Sequence, residues 1–334
     1  MTTAVPTVTH EISVVVPVYK GELTLRPLLA EIIALTEPTS SPAGILWRVT
    51  EVLLVHDNGP DRSAAVIRDL SDEHEFVRPV WLSRNFGQHS ATLAGMASSG
   101  SEWIVTLDED GQHDPADIGR LLDAAVAHAA PLVYAKPTNA KPHGAVRNAA
   151  SRGAKALIAS LADGQKTSDF QSFRLILGEI GRSVAAYAGS GVYLDIALGW
   201  VASRAVTADI FFRDEGERIS GYSGRKLLSH FWRLVLSSGT RALRIVAIAG
   251  GVLAAIGVIL AISFIIEWFS GAHLPAGWTS LMTVLLLTSG AVLISLGVVA
   301  EYLGTAVNMA MGKPPYLIIS DPSDGPLGRH RKSE

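Results

Sequence analysis

The sequence contains no cysteine among its 334 residues, which excludes disulfides and every thiolate metal site and fits a reducing compartment. It also lacks a strong charge of either sign. Its 28 basic and 31 acidic side chains leave a net charge of −3, so there is no case for a nucleic-acid partner. Only 18% of residues are charged, and the mean hydropathy is +0.30. That excess of apolarity sits in the last third, whereas the first two thirds read as an ordinary α/β protein. No glycine spacing meets the dinucleotide-binding or P-loop patterns, so any nucleotide pocket must be made differently. Residues 1–10 have neither a basic stretch nor an apolar one; no cleaved signal peptide is expected, and the N-terminal domain is expected to stay in the cytosol.

What is present centres on Ile104-Val105-Thr106-Leu107, an apolar run that stops at Asp108-Glu109-Asp110-Gly111-Gln112-His113-Asp114-Pro115. Such a run suits a buried parallel strand, and Gly, Gln, His and Pro deny it a regular continuation. In open α/β sheets ligands bind beyond the carboxyl ends of strands, and a strand's period of two predicts that Asp108 and Asp110 point the same way. Hard oxygen donors so placed suit Mg²⁺ or Mn²⁺. A solvated acidic turn is the plainer account of the same residues.

Upstream, β-branched and apolar runs at 12–19, 52–55 and 80–82 alternate with helical spacing at 23–35, 63–70 and from 88 through Met96. Strand–helix alternation of this kind predicts a mostly parallel sheet covered on both faces. Three strand ends then present acids at one edge: Glu22 with Tyr19, Asp57 with Asp61, and Asp108 with Asp110. Downstream, 115–130 reads as a helix capped by Asp114 with proline in its first turn. A strand at 132–135 follows, then a proline-containing loop to Gly144. Arg147, Arg152 and Lys155 lie on an alanine-rich helix, either as a solvated basic face or as a phosphate clamp. Residues 194–201 and 205–212 read as two more strands or as a strand after a turn, and periodicity does not settle which.

The last third carries two nearly uncharged stretches, 245–269 and 278–303, each about 25 residues or roughly 37 Å as helix, enough to cross a ~30 Å hydrocarbon layer. A buried core hairpin is the competing account. Arg225, Lys226, Arg233, Arg241 and Arg244 precede the pair, Lys313 follows it, and the connecting loop has no lysine or arginine. Positive-inside logic leaves both termini in the cytoplasm. Residues 227–236 fit an amphipathic helix in the membrane interface, and the polar tail is expected to be mobile unless docked on the soluble domain.

The Val-Val-Pro-Val-Tyr run with Glu22, the His56-Asp57-Asn58-Gly59 turn, Ser-Arg84-Asn-Phe-Gly-Gln, the Asp108–Gln112 segment, Asp169-Phe-Gln-Ser-Phe-Arg174 and the two apolar stretches occur in order. Together they resemble family 2 glycosyltransferases of GT-A fold, and more narrowly those that load a sugar onto a polyprenyl phosphate. The resemblance implies an α/β, Rossmann-like catalytic domain over 1–220, an amphipathic juxtamembrane segment at 221–243, a two-helix transmembrane hairpin at 244–304 and a cytoplasmic tail at 305–334. It implies metal-dependent, inverting transfer from a nucleotide-diphosphate sugar, UDP-hexose favoured, to a polyprenyl phosphate at the cytoplasmic face of the inner membrane.

By the same resemblance, Pro17, Tyr19, Glu22, Asp57, Arg84 and Asp108 bind the donor nucleotide, and Asp108, Asp110 and Gln112 hold Mg²⁺ or Mn²⁺. Asp169, Asp110 and Arg174 are the catalytic set, and Arg147, Arg152, Arg174 and Arg225 receive the acceptor phosphate. Relatives with two helices suggest a tetramer. Two departures stand out: His56 replaces a usual acid, where a satisfied structural histidine is the plainer account, and Ser172 replaces another. They keep a tethered, non-catalytic sugar-nucleotide binder in view, as well as transfer to a different lipid acceptor.

Overall fold

The computed structural model describes residues 8–139, 170–189, 192–213 and 277–326, with scattered positions between 246 and 270. Its first half alternates as the sequence predicts. Strand β1 (His10–Val18) leads to helix α1 (Leu25–Ile33), a short β2 (Thr39–Ser40), β3 (Leu46–His56), α2 (Ser63–Glu73), β4 (Val77–Leu82), α3 (Gln88–Ser98) and β5 (Trp103–Thr106). A 3₁₀ turn (Pro115–Asp117) opens α4 (Ile118–His128), and β6 (Leu132–Pro137), β7 (Arg174–Leu177), α5 (Gly178–Tyr187), α6 (Leu194–Val201) and β8 (Ala205–Ile210) follow. The expected cap falls on the 3₁₀ turn that leads into α4: the Asp114 carboxylate accepts the Ala116 N–H at 2.9 Å.

The strands form one sheet in the order β8-β6-β7-β5-β1-β3-β4, with the terminal strand β9 (Ile318–Ile319) on the β4 edge and β2 paired to β3. Strands β5, β1, β3 and β4 run parallel, so Thr106, Val18, His56 and Leu82 end at one edge. Strand β7 runs antiparallel between β5 and β6. One face packs Leu25, Leu29, Ile67, Leu70, Ile118 and Leu122 from α1, α2 and α4; the other packs α3, α5 and α6. Gly95 lets α3 lie this close, since a Cβ there would meet Val15 at 2.3 Å and Val55 at 2.9 Å.

Two expectations change. Residues 194–201 form helix α6, not a strand: β-rich composition at this length does not distinguish a buried helix from a strand, and one face of α6 (Leu194, Ala197, Leu198) is claimed by the core. The tail is docked. Ile318 and Ile319 pair antiparallel with Leu82 and Trp81, and the Arg68 guanidinium holds Asp321 through two bonds of 2.6 and 2.7 Å.

Helix α7 (Trp278–Ala310) runs past the expected end at 303. Its segment Thr288–Ala310, 23 residues with a mean hydropathy of 1.7, is long and apolar enough to cross a membrane. The described positions between 246 and 269 are helical, but the earlier expected span, like the juxtamembrane segment, falls largely outside the described residues. The C-terminal end of α7 meets the domain at Gly189, where a Cβ would lie 3.1 Å from Met309.

Candidate active site

The sheet reverses its winding direction between β1 and β5, and in open α/β sheets the carboxyl ends at such a reversal are where a ligand crevice forms. Residues 107–108 leave the strand and 109–111 turn, with Gly111 at φ +77° supplying the left-handed step. Because the strand has ended, its period of two no longer governs the acids. Asp108 and Asp110 are held by different partners.

Asp108 accepts from the Gln88 carboxamide at 2.6 Å and from the Ser172 hydroxyl at 2.5 Å, which ties α3 and the start of β7 to the end of β5. Its own backbone N–H donates to His113 Nδ1 at 3.2 Å. Asp110 accepts from the Gln112 backbone and side-chain N–H groups at 3.0 and 2.9 Å, closing a small ring. Two carboxylates and a carboxamide within one five-residue turn are an all-oxygen donor set that fits Mg²⁺ or Mn²⁺.

Between them, Glu109 crosses the crevice. Its carboxylate accepts the N–H groups of Tyr19 and Lys20 at 3.2 and 2.9 Å, so it fixes the chain leaving β1 relative to the acidic turn. Glu109 carries no expected role in the sequence, because a strand's period of two would turn it away from Asp108 and Asp110. The far side of the turn is held by the exit of β8. The Arg213 N–H donates to the Gln112 carbonyl at 2.9 Å; its guanidinium bridges Asp114 at 2.7 Å and Glu31 at 2.9 Å. Phe212 and Phe173 flank the His113 ring at 4.9 and 5.0 Å.

The other predicted donor residues form a brace around the crevice. The Asp61 carboxylate accepts the Glu22 N–H and the Ser63 hydroxyl, while the Glu22 carboxylate accepts the Arg62 N–H. Gly59 is required here, because a Cβ would come 1.7 Å from the Tyr19 carbonyl oxygen. Pro17 is buried within β1 opposite Val55, and Tyr19 stands exposed just beyond it. Asp57 is buried, and its two oxygens accept the Phe86 and Gly87 N–H groups at 2.7 and 2.8 Å. Burial pushes its pKa up while those N–H groups and Arg84 pull it back. Asp57 therefore shapes the turn that carries Arg84, whose guanidinium lies over the Phe86 ring at 3.9 Å. His56 is buried edge-on to Trp81 at 5.4 Å, and its Nε2 has no hydrogen-bond partner. Burial lowers its pKa, so the imidazole is neutral near pH 7.

Arg174, expected from the resemblance to hold the acceptor phosphate, is enclosed within the domain. It lies in β7 with only 4% of its surface exposed and forms an ion pair with Asp195, itself 2% exposed. Tyr134 donates to the same carboxylate at 3.0 Å, and the Arg174 Nε–H reaches the Thr106 hydroxyl at 3.2 Å. The guanidinium is flanked by Thr106 of β5 and the Tyr134 ring of β6 and paired with Asp195 of α6, so its charge is neutralised in the core beneath that helix. Asp169, Arg147, Arg152 and Arg225 lie outside the described residues.

The glycosyl transferase family 2 model matches residues 13–182, just over half of the chain. Undecaprenyl-phosphate 4-deoxy-4-formamido-L-arabinose transferases are similar nearly end to end. The one from Pectobacterium carotovorum is 29% identical over 92% of this chain and 92% of its own length. That from Sodalis glossinidius is 28% identical over 97% and 98%. Among solved structures, mannosyl-3-phosphoglycerate synthase from Rubrobacter xylanophilus has a TM-score of 0.48 at 15% identity, covering 70% of this chain and 74% of that one.

Proposed function

The chain belongs to glycosyl transferase family 2, and from that premise we propose that this glycosyltransferase moves one sugar from a nucleotide-diphosphate sugar, UDP favoured, to a polyprenyl phosphate at the cytoplasmic face of a membrane. The observation that carries this reading is the shared edge. The strand exits at Tyr19 and Asp108 lie at the carboxyl edge of the sheet, and the Met309 end of the apolar helix abuts Gly189, close in sequence to Tyr193, whose ring lies 4.2 Å from that of His89, next to the Gln88 that holds Asp108. A polar donor reaches such a crevice from water, and a phosphate on a lipid tail reaches it along the bilayer. The two relatives similar over nearly the whole chain add support, since both are named as undecaprenyl-phosphate sugar transferases.

In the proposed reaction a phosphate oxygen of the lipid attacks the anomeric carbon from the face opposite the diphosphate. The bond from that carbon to the diphosphate oxygen breaks, the configuration inverts, and the nucleoside diphosphate leaves with the electron pair. A phosphate monoester is already anionic near pH 7, so orientation and charge stabilisation carry more of the work than a general base. Asp108, Asp110 and Gln112 would hold Mg²⁺ or Mn²⁺, which when bound would neutralise charge building on the leaving diphosphate. Glu109 and Arg213 keep those residues in register with β1 and α1. Asp169, Arg147, Arg152 and Arg225 remain the proposed acceptor-side residues, and two membrane passes with both termini cytoplasmic complete the reading.

The test uses full-length protein in detergent with Mg²⁺ or Mn²⁺, undecaprenyl phosphate and a panel of UDP- and GDP-sugars, read by nucleoside diphosphate release and glycolipid product. At least one donor is expected to give a singly glycosylated lipid phosphate. Asp110→Asn is expected to cost about a hundredfold or more in kcat. If no donor yields glycolipid, or Asp110→Asn leaves turnover unchanged, the reading is abandoned.

A further inference from the structure

The chain beyond the apolar helix returns to the catalytic domain and runs along its donor side. Tyr316 packs against the α5 face, and its hydroxyl donates to the Ala185 carbonyl at 3.3 Å. The Leu317 carbonyl accepts the Ser83 N–H at 3.0 Å. Ile318 and Ile319 then extend the sheet beyond β4, and Asp321 closes on Arg68 of α2 through a bidentate pair. The Arg68 guanidinium also lies over the Trp81 ring at 4.8 Å.

Ser83 begins the turn to which the sequence assigned donor contacts. From inside, Asp57 holds that turn at Phe86 and Gly87; from outside, among the described residues, the tail holds it at Ser83. The turn ends at Gln88, whose carboxamide holds Asp108. An unbroken series of contacts therefore joins Asp321 and Leu317, through Ser83 to Gln88, to the acid at the crevice. The tail's short strand adds few backbone bonds of its own, so the Arg68–Asp321 pair is what fastens its far end.

We propose that the C-terminal strap at 316–321 is part of the donor site, with Asp321 a positioning residue that acts through Arg68 and β9 on the Ser83–Gln88 turn. Anchorage and donor binding are then mechanically one: the segment that follows the apolar helix is also the outer support of the nucleotide crevice. This rests on the donor-site reading above.

The experiment measures binding of UDP and of GDP, each with Mn²⁺, to the full-length protein in detergent by titration calorimetry. The variants are Asp321→Arg, Arg68→Asp and the double charge swap. Each single reversal is expected to weaken binding of the preferred nucleotide about tenfold, and the swap to restore it to within about threefold. Kinetically, the singles should raise the donor KM and leave the acceptor KM unchanged, a split that a general loss of folded protein does not produce. Single reversals that bind the nucleotide like the parent overturn the proposal, as does a swap that folds with parental melting but stays weak. A parent chain that binds neither nucleotide instead removes the donor-site reading itself, and the strap's role with it.

Discussion

Arg174 shows how far one side chain's meaning depends on what faces it. Its position in a polar-sounding segment suggests a cation waiting for phosphate, yet its guanidinium is enclosed with Asp195 and Tyr134. Burial opposes the charge on both partners and pushes Asp195 upward, while the guanidinium pulls the carboxylate the other way. A pair of this kind is costly to break from one side, because the remaining charge is left uncompensated in the interior. Arg174→Met is therefore expected to destabilise the domain by about 3–5 kcal/mol, measured by denaturant unfolding of the detergent-solubilised protein. A change under about 1 kcal/mol, accompanied by a loss of acceptor affinity, would return Arg174 to the phosphate. Glu109 makes the opposite point, since a residue passed over between two aspartates spans the crevice and bonds two backbone N–H groups of the neighbouring strand's exit.

At the scale of elements, the site is made by strand ends and the turns that leave them. The β3 exit carries Asn58 at φ +48° and then Gly59 against the Tyr19 carbonyl. Gly59→Ala would force the β1 and β3 exits apart, because the contacting atom is backbone and cannot swing away. We expect it to raise the donor KM by about tenfold or more, with melting changed less than by Arg174→Met; an unchanged donor KM in a folded variant would detach this turn from the site. Helix α6 belongs to this scale too. Its run of Leu, Ile, Ala and Trp carries no period that separates strand from helix, and packing on α3 and α5 makes the choice.

Over the whole molecule, the tail makes one body of the sheet edge and the end of the apolar helix. Asp321 sits in a strong field: the Arg68 guanidinium holds its pKa down to about 2 from an ordinary 3.8. An acid whose folded pKa is depressed adds stability that is present above the unfolded value and lost as pH falls toward the folded one. Docking of the tail is accordingly expected to hold above pH 3.8 and to weaken progressively from there to about 2. The absence of cysteine makes this measurable, because Ser320→Cys gives a single site for a spin label. Label mobility should rise across that interval in the parent and be high already at pH 7 in Asp321→Arg; a label equally immobile in both would show that the ion pair does not fasten the tail.

The sequence by itself determined the alternation of strands and helices, the acidic turn at 108–114, the cap by Asp114 and the apolar stretch at 278–303. Each is written locally: β-branched runs, a proline after a capping aspartate, and nearly uncharged length are legible wherever they fold. It also carried the family resemblance, because ordered motifs survive without any knowledge of their contacts. Only the tertiary structure decided which acids meet a neighbour's N–H, that Asp57 serves a turn, that Arg174 is enclosed, and that residues some 230 positions beyond β4 become its partner strand. Those outcomes depend on pairings between distant segments, and a side chain's charge or a strand's edge carries no mark of which distant segment will neutralise or cover it until the chain has closed.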